Sequence, residues 1–370
     1  MLDRVTTAFE NQDYRQASRL LKQLYKKTPH DPWVQFYIGR LYEETHKAEA
    51  AEKVYRQLLR SASFPKILTK ARQGLQRLEA RERQQREQAL EQAKADPRSD
   101  EAGVLILEAT PPQKRKETAQ QLARILQIDP YSARMRLQAH GWRLYRTGPI
   151  GELRVYGREL RQAGIPVFWA SLEEIRQIQI FRVRYFQSFS GQPTVVCLDE
   201  NDRLGAISFD WQEVTQRVDG GLPIFVDAVH YDISRKKSEQ VKRKQETRDY
   251  ARVCDLHLSD RNCILRLCDR TYEFPKDASA ARDRSSEAGL SQTTNRIKWN
   301  GLIENIERHL EGVPVRSEFT PFAETVLEYS FMLARISHYI ELARKEPSNW
   351  DPAFALYSGL VFLKHRQGGF

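Results

Sequence analysis

Cys254, His257, Cys263 and Cys268 are the residue types that zinc prefers, thiolate and imidazole, and they fall within one short stretch;. Strand alternation opposes a shared ion. In VCDLHLS, Cys254 takes the face of Leu256 and Leu258, and His257 points the other way;. In CILRLC, Cys263 sides with Leu265 and Leu267, and Cys268 opposes them. Ligands on opposite faces of a sheet cannot complete one tetrahedron, so these cysteines read as core residues. Asp227, His230 and Asp232 offer acid and base groups, but Asp227 alternates with the other two along a strand and no nucleophile motif stands near them;. Neither G-x-x-x-x-G-K-[ST] nor G-x-G-x-x-G occurs, so no loop built to cradle phosphates is expected;. No catalytic residue, metal or cofactor is therefore assigned.

The remaining candidates are arginines and lysines. The net charge is +10, yet residues 66–94, 104–170 and 235–248 carry more than that between them, which leaves the rest of the chain acidic. A localised field attracts anionic partners, whereas a dispersed one mainly aids solubility. Within 104–170, Arg154, Arg158 and Arg161 share one face of a helix expected over 150–163, and Trp142, Tyr145 and Tyr156 are interleaved with the basic residues. Arginine forks with interleaved rings suit single-stranded RNA or another anionic surface; the plainer reading is charged helix faces over core rings. The run RKKSEQVKRKQETR contributes Arg235, Lys236, Lys237, Lys242, Arg243 and Lys244, in a loop or excursion between two strands that could meet phosphates;.

The elements that would position a binding surface begin at the N-terminus. Ala17, Leu21 and Leu24 recur as Ala51, Tyr55 and Leu58, a period of 34 that places each trio on one helical face;. Pro29 closes the first copy, Asp31–Pro32 opens the next helix, and Gly39 allows the helix near Ala51 to approach closely;. This pattern resembles the tetratricopeptide repeat family, although Val5 and Ser63 stand where the family favours glycine and proline. The resemblance implies a concave protein-binding face, with Thr6, Phe36, Arg40, Glu43 and Glu44 as its candidates. A helix over about 65–94 caps the pair with Ile67, Leu68, Ala71, Leu75 and Leu78, and turns polar beyond Ala80.

After a break at Asp96–Asp100, the order βααβαβ is expected over 101–176, with the first helix starting at Thr110–Pro111;. QLARILQIDPYSARMRL followed by ELRVYGRELRQAGIPVFW is similar in topology to the C-terminal domain of the ribosomal stalk protein or a clamp-loading adaptor. Residues 178–312 read as six or seven antiparallel strands, TYEF among them, with a disordered loop over 275–293 and a helix carrying Trp299, Ile303, Ile306 and Leu310;. That combination is similar to a pleckstrin-homology-like barrel, with a sandwich as the rival. Residues 313–370 are helical: one helix from Thr320 runs through Phe322, Val326, Tyr329, Leu333, Ile336 and Ile340, and a buried one follows Asp351–Pro352. The closing WDPAFALYSGLVFLKHR resembles cyanobacterial tetratricopeptide proteins.

The fold class is thus multidomain α+β, divided 1–95, 101–176, 178–312 and 313–370. No apolar run approaches the roughly 20 residues of a membrane helix. The first residues lack the apolar run of a secretory signal, and four scattered cysteines fit a reducing compartment, so the cytoplasm is expected;. The function expected is a non-catalytic adaptor or assembly factor with protein partners. An RNA- or ribosome-associated protein is the alternative, and an unrecognised enzyme comes third.

Overall fold

The carboxylates of Asp13 and Asp31 accept the free N–H groups of Gln16 and of Trp33 and Val34, and so open two of the first five helices;. In the computed structural model of the chain, residues 1–231, 241–274, 287–344 and 346–366 are described, with backbone alone for 226–231, 241–246, 248 and 287–294. The protein is α+β and divides into two compact units, Met1–Ala95 and Asp96–Phe370.

The first unit comprises α1 (Leu2–Glu10), α2 (Tyr14–Lys27), α3 (Pro32–Glu44), α4 (Ala48–Ser61) and α5 (Pro65–Lys94). The period of 34 holds in three dimensions. Ala17, Ala51, Leu21, Tyr55 and Leu58 are buried, and Leu24 packs against the core beside them. Even the turns repeat: Gln12 and His46 take left-handed backbone at φ 55° and 59°. Gly39 does admit α4, and the group it admits is the Tyr55 ring. A methyl on Gly39 would lie 2.7 Å from that ring, and one on Gly74 of α5 would lie 2.5 Å from its other edge. Tyr55 is thus clamped between two glycines, and α5 seals the second hairpin through Ile67, Ala71 and Leu78.

The second unit opens with β1 (Ala102–Leu107), α6 (Arg115–Leu126), α7 (Pro130–Arg136), β2 (Arg143–Pro149), α8 (Ile150–Gln162), β3 (Val167–Ser171) and α9 (Leu172–Arg176). Its three strands form an antiparallel sheet in the order β2-β1-β3. Leu105 and Leu107 face α6–α8, whereas Val104 and Ile106 face the opposite side. The helix expected from Thr110 starts only at Arg115, because Pro111 and Pro112 are spent on turns that accept from Lys114 and Arg115.

A larger sheet follows, built from β4 (Gln179–Ser188), β5 (Thr194–Leu198), β6 (Leu204–Ser208), β7 (Gln216–Tyr231), β8 (Val241–Leu258), β9 (Cys263–Cys268) and β10 (Val315–Arg316). Its order is β10-β7-β8-β9-β4-β5-β6. The pairs β4/β9 and β7/β10 are parallel and the others antiparallel. Among the described residues it is one mixed sheet in place of the all-antiparallel barrel or sandwich expected, since parallel neighbours need crossovers that alternation along single strands does not reveal. TYEF is not a strand: Tyr272 instead turns its hydroxyl onto the backbone N–H of Phe186. Of the loop expected over 275–293, residues 275–286 lie outside the described residues, and 287–293 already belong to α10 (Glu287–His309).

The helix α10 covers one face of this sheet with Trp299, Leu302 and Ile306, joined by Leu310 just past its end, against Cys254, Leu256, Leu265 and Leu267. The other face meets α11 (Phe319–Val326), α12 (Ser330–Leu333) and α13 (Trp350–Arg366). Phe168 of the small sheet, Val218 and Val253 of the large one, and Phe322 and Phe354 of these helices share a single core. That core joins the three segments that the sequence separates at 178 and 313. The single helix expected over 320–340 is broken after Val326. Ile336 and Ile340 are still buried, so the apolar period reports their burial correctly and their helicity wrongly;.

Candidate functional site

The residues expected on the repeat surface lie on α1 and α3, and α5 packs beside α3. Of those expected residues, Phe36 is 4% exposed and Glu43 is 2% exposed, so neither is available to a partner. The correction has a physical cause, because Glu43 is consumed internally. Its carboxylate accepts from Tyr55 Oη at 2.8 Å, from Arg77 Nε at 2.7 Å and from Arg77 Nη2 at 3.0 Å. Arg81 donates to the Glu43 carbonyl at 3.3 Å. Burial by itself raises the Glu43 pKa, but the bonds from Arg77 and Tyr55 and the charges of Arg77 and Arg81 outweigh it and hold the carboxyl below its usual value;. Arg77 escaped the sequence reading, although it stands one repeat period after Glu43.

Arg40 and Glu44 stay on the surface, partly exposed, and Thr6 pairs its hydroxyl with Tyr37 Oη at 2.8 Å. The Arg40 guanidinium sits over the Phe9 ring at 5.2 Å, and Lys70 of α5 sits over Phe36 at 5.7 Å. Arg81 reaches Glu44 at 3.9 Å. The outward chemistry of α3 and α5 is therefore cationic groups laid on aromatic rings, with Glu44 as a counter-charge.

The α8 arginines are partly committed within the second unit. Arg154 pairs with Asp96 at 3.6 Å; Arg161 donates to the Val167 carbonyl at 3.2 Å and covers the Trp169 ring at 4.6 Å. Arg158 is exposed. The rings proposed for base stacking are taken: Trp142 is buried, Arg136 lies over Tyr145 at 5.5 Å and Arg146 over Tyr156 at 5.1 Å. Of the second basic run, Arg235, Lys236 and Lys237 lie outside the described residues. Lys242, Arg243 and Lys244 are in β8, paired with His230, Val229 and Ala228, so this part of the run is strand where a loop was expected.

The alternation of the cysteine strands holds. Cys254 and Cys263 face α10, whereas Cys268 lies in the core of the other face. All four cysteines of the chain are buried and free. Burial pushes Cys197, Cys263 and Cys268 up to about 11 and raises Cys254 as well, which keeps them as neutral thiols near pH 7;. His257 meets a serine that the sequence did not flag. Ser358 Oγ donates to Asp255 at 2.6 Å and lies 2.9 Å from His257 Nε2. Its single proton is spent on Asp255, so it must accept from His257 Nε2–H. Arg266 pairs with the same carboxylate at 2.6 Å.

Serine, histidine and aspartate meet here in the wrong order for hydrolysis. A catalytic acid orients the base through the nitrogen far from the serine. Here the acid holds the serine itself, His257 Nδ1 has no partner, and His257, Asp255 and Ser358 are all 0% exposed. The cluster ties β8, β9 and α13 together.

A family model of the tetratricopeptide repeat matches residues 8–67. No curated protein and no solved structure matches the chain. No helix among the described residues is long and apolar enough to cross a membrane. The matched residues run from Ala8 of α1 across α2, α3 and α4 to the first turn of α5, and the N-terminal region is a tetratricopeptide-repeat-like pair of helical hairpins.

Proposed function

We propose that the protein is a non-catalytic adaptor that grips a segment of a protein partner with the α3–α5 surface of its N-terminal repeats. The observation that carries this reading is the repeat match over residues 8–67, since repeats of this kind mediate protein–protein interaction. The surface chemistry narrows the partner. Arg40 and Lys70 are charged groups already resting on rings, and Arg77 and Arg81 retain side chains 47% exposed after serving Glu43 and Glu44. A segment rich in Asp and Glu matches this surface, because it gains ion pairs with cations whose apolar stems are already ordered. The basic face at Arg154, Arg158 and Arg161 is a second, anion-seeking contact in the same reading, and the cytoplasm is its setting.

The test is affinity capture from the native cell, with and without nuclease, using the wild type and the double variant Arg40→Glu, Lys70→Glu. Nuclease-resistant retention of a protein that the double variant loses, at unchanged helicity by circular dichroism, is the expected outcome. Equal retention by both proteins, or loss on nuclease treatment, sinks the reading.

A further inference from the structure

The edge strand of an open sheet presents a row of backbone N–H and C=O groups that a further strand can pair. The large sheet closes one edge with the short β10 and leaves β6 (Leu204–Ser208) at the other. Asp199 N–H donates to the Arg203 carbonyl at 3.1 Å and Phe209 N–H to the Pro193 carbonyl at 3.0 Å, which fixes the phase of the β5–β6 ladder. Gly205 and Ile207 therefore bond to β5, and the backbone groups of Leu204, Ala206 and Ser208 point outward;. Arg261 serves the Ser208 carbonyl at 2.8 Å. Leu204 and Ala206 keep their outward groups in water: both residues are exposed, Leu204 by 69%.

Natural sequences block such an edge with lysine, proline or a bulge. The segment LGAIS holds no lysine or proline, and its register with β5 is unbroken. Its two faces suit an added strand. Leu204 and Ala206 lie in line with Leu198 and Val196 of β5 and with Tyr185 of β4, so one face offers apolar surface. On the other face a carbon added to Gly205 would meet nothing within 4 Å, which leaves room for a partner's side chain.

Charge decides the occupant. At the Leu204 end stand Asp199, Glu200, Asp202 and Glu341 against Arg182 and Arg203, and both arginines are already paired within this group. At the Ser208 end stand Asp210 and Glu213 against Arg261, which Glu213 holds. Both ends are therefore acidic. Antiparallel pairing with a second copy about Ala206 would set Asp202 of each copy opposite Asp210 of the other, like charge on like. An extended segment with Lys or Arg at its two ends gains at both.

We propose that β6 is a docking edge, where an extended segment of a second protein, apolar or small in its middle and basic at both ends, joins the large sheet as its eighth strand;. The edge belongs to the second unit and is independent of the repeat surface, for which an acidic segment is the match.

The test is a displayed library of short random peptides, selected on the full chain and on Ala206→Pro. The Ala206 N–H takes no part in the ladder with β5, so proline at this edge removes an outward donor and spares the fold;. A set of peptides held by the wild type and weakened at least about tenfold by the substitution is expected, with Lys or Arg in excess at their ends. Bound to the wild type, such a peptide slows hydrogen exchange of the Leu204 and Ala206 amides at least about tenfold. Acidic peptides lost only in Arg40→Glu, Lys70→Glu report the repeat surface, so the two readings fail separately. No set that distinguishes the wild type from the proline variant, a set without basic ends, or unchanged exchange overturns the proposal. So does a dimer in sedimentation that Ala206→Pro dissociates, because the occupant is then a second copy. If circular dichroism shows the proline variant unfolded, exchange in the wild type decides alone.

Discussion

His257 is an imidazole closed off from water with one nitrogen served and one bare. Burial lowers its pKa from 6.5 to about 4; Asp255 opposes the shift, while Arg266 and His365 add to it;. The sign follows from linkage. Between the two values the unfolded chain takes up a proton that the folded chain refuses, so the contribution to stability is complete above about pH 6.5 and is lost as pH falls towards 4. The loss is on the order of 3 kcal/mol. Urea unfolding of the second unit at pH 7 and at pH 4.5 should show this fall, and His257→Gln, whose amide can still donate to Ser358, should show a shallower one. An equally steep fall in both proteins would mean that other groups carry the pH dependence. At this scale the sequence carries the faces of Cys254, Cys263 and Cys268, because a period of two is local;. It could not give Ser358, which reaches Asp255 across 103 positions.

Among elements, the contact of α4 with α5 turns on glycine. A methyl at position 74 would lie 2.5 Å from the Tyr55 ring, closer than packed atoms allow, and that ring is also held through its hydroxyl by Glu43;. Gly74→Ala should therefore destabilise the first unit by about 1–3 kcal/mol despite alanine's better helix propensity. Gly148→Ala, with nothing within 4 Å of the added carbon, should stay within about 0.5 kcal/mol of wild type;. Chemical denaturation of both variants checks this, and equal effects would remove the clamp from the account. The elements that the sequence placed well are those with a cap and a period together, such as α3 behind Asp31–Pro32 and α8 with its stop at Gly164. It failed beyond Val326, where Ile336 and Ile340 keep a helical spacing on a backbone that is not helical.

At the scale of the whole chain, the cores of the two units share no residue: one pair of clusters lies within 5–78 and the others within 104–363. Units with their own cores unfold on their own terms. Tyr55→Ala removes a ring that is 0% exposed, at a cost of about 3–5 kcal/mol;. Calorimetry should show one transition lowered and the other, assigned to residues 96–370, unmoved. A single transition shifted as a whole would contradict this independence.

By itself the sequence determined the repeat, its Asp31 cap and closing helix, the βααβαβ order after residue 101, and the faces of Cys254, Cys263 and Cys268. All of these follow from periods and end signals that a segment carries within itself. Only the tertiary structure decided that Glu43 and Phe36 turn inward, that β9 lies beside β4 in parallel, and that the two sheets and the last helices share one core. Each of these depends on which distant surface a segment meets. The spacing of apolar residues fixes how much of a surface is buried, and it carries no record of what covers it.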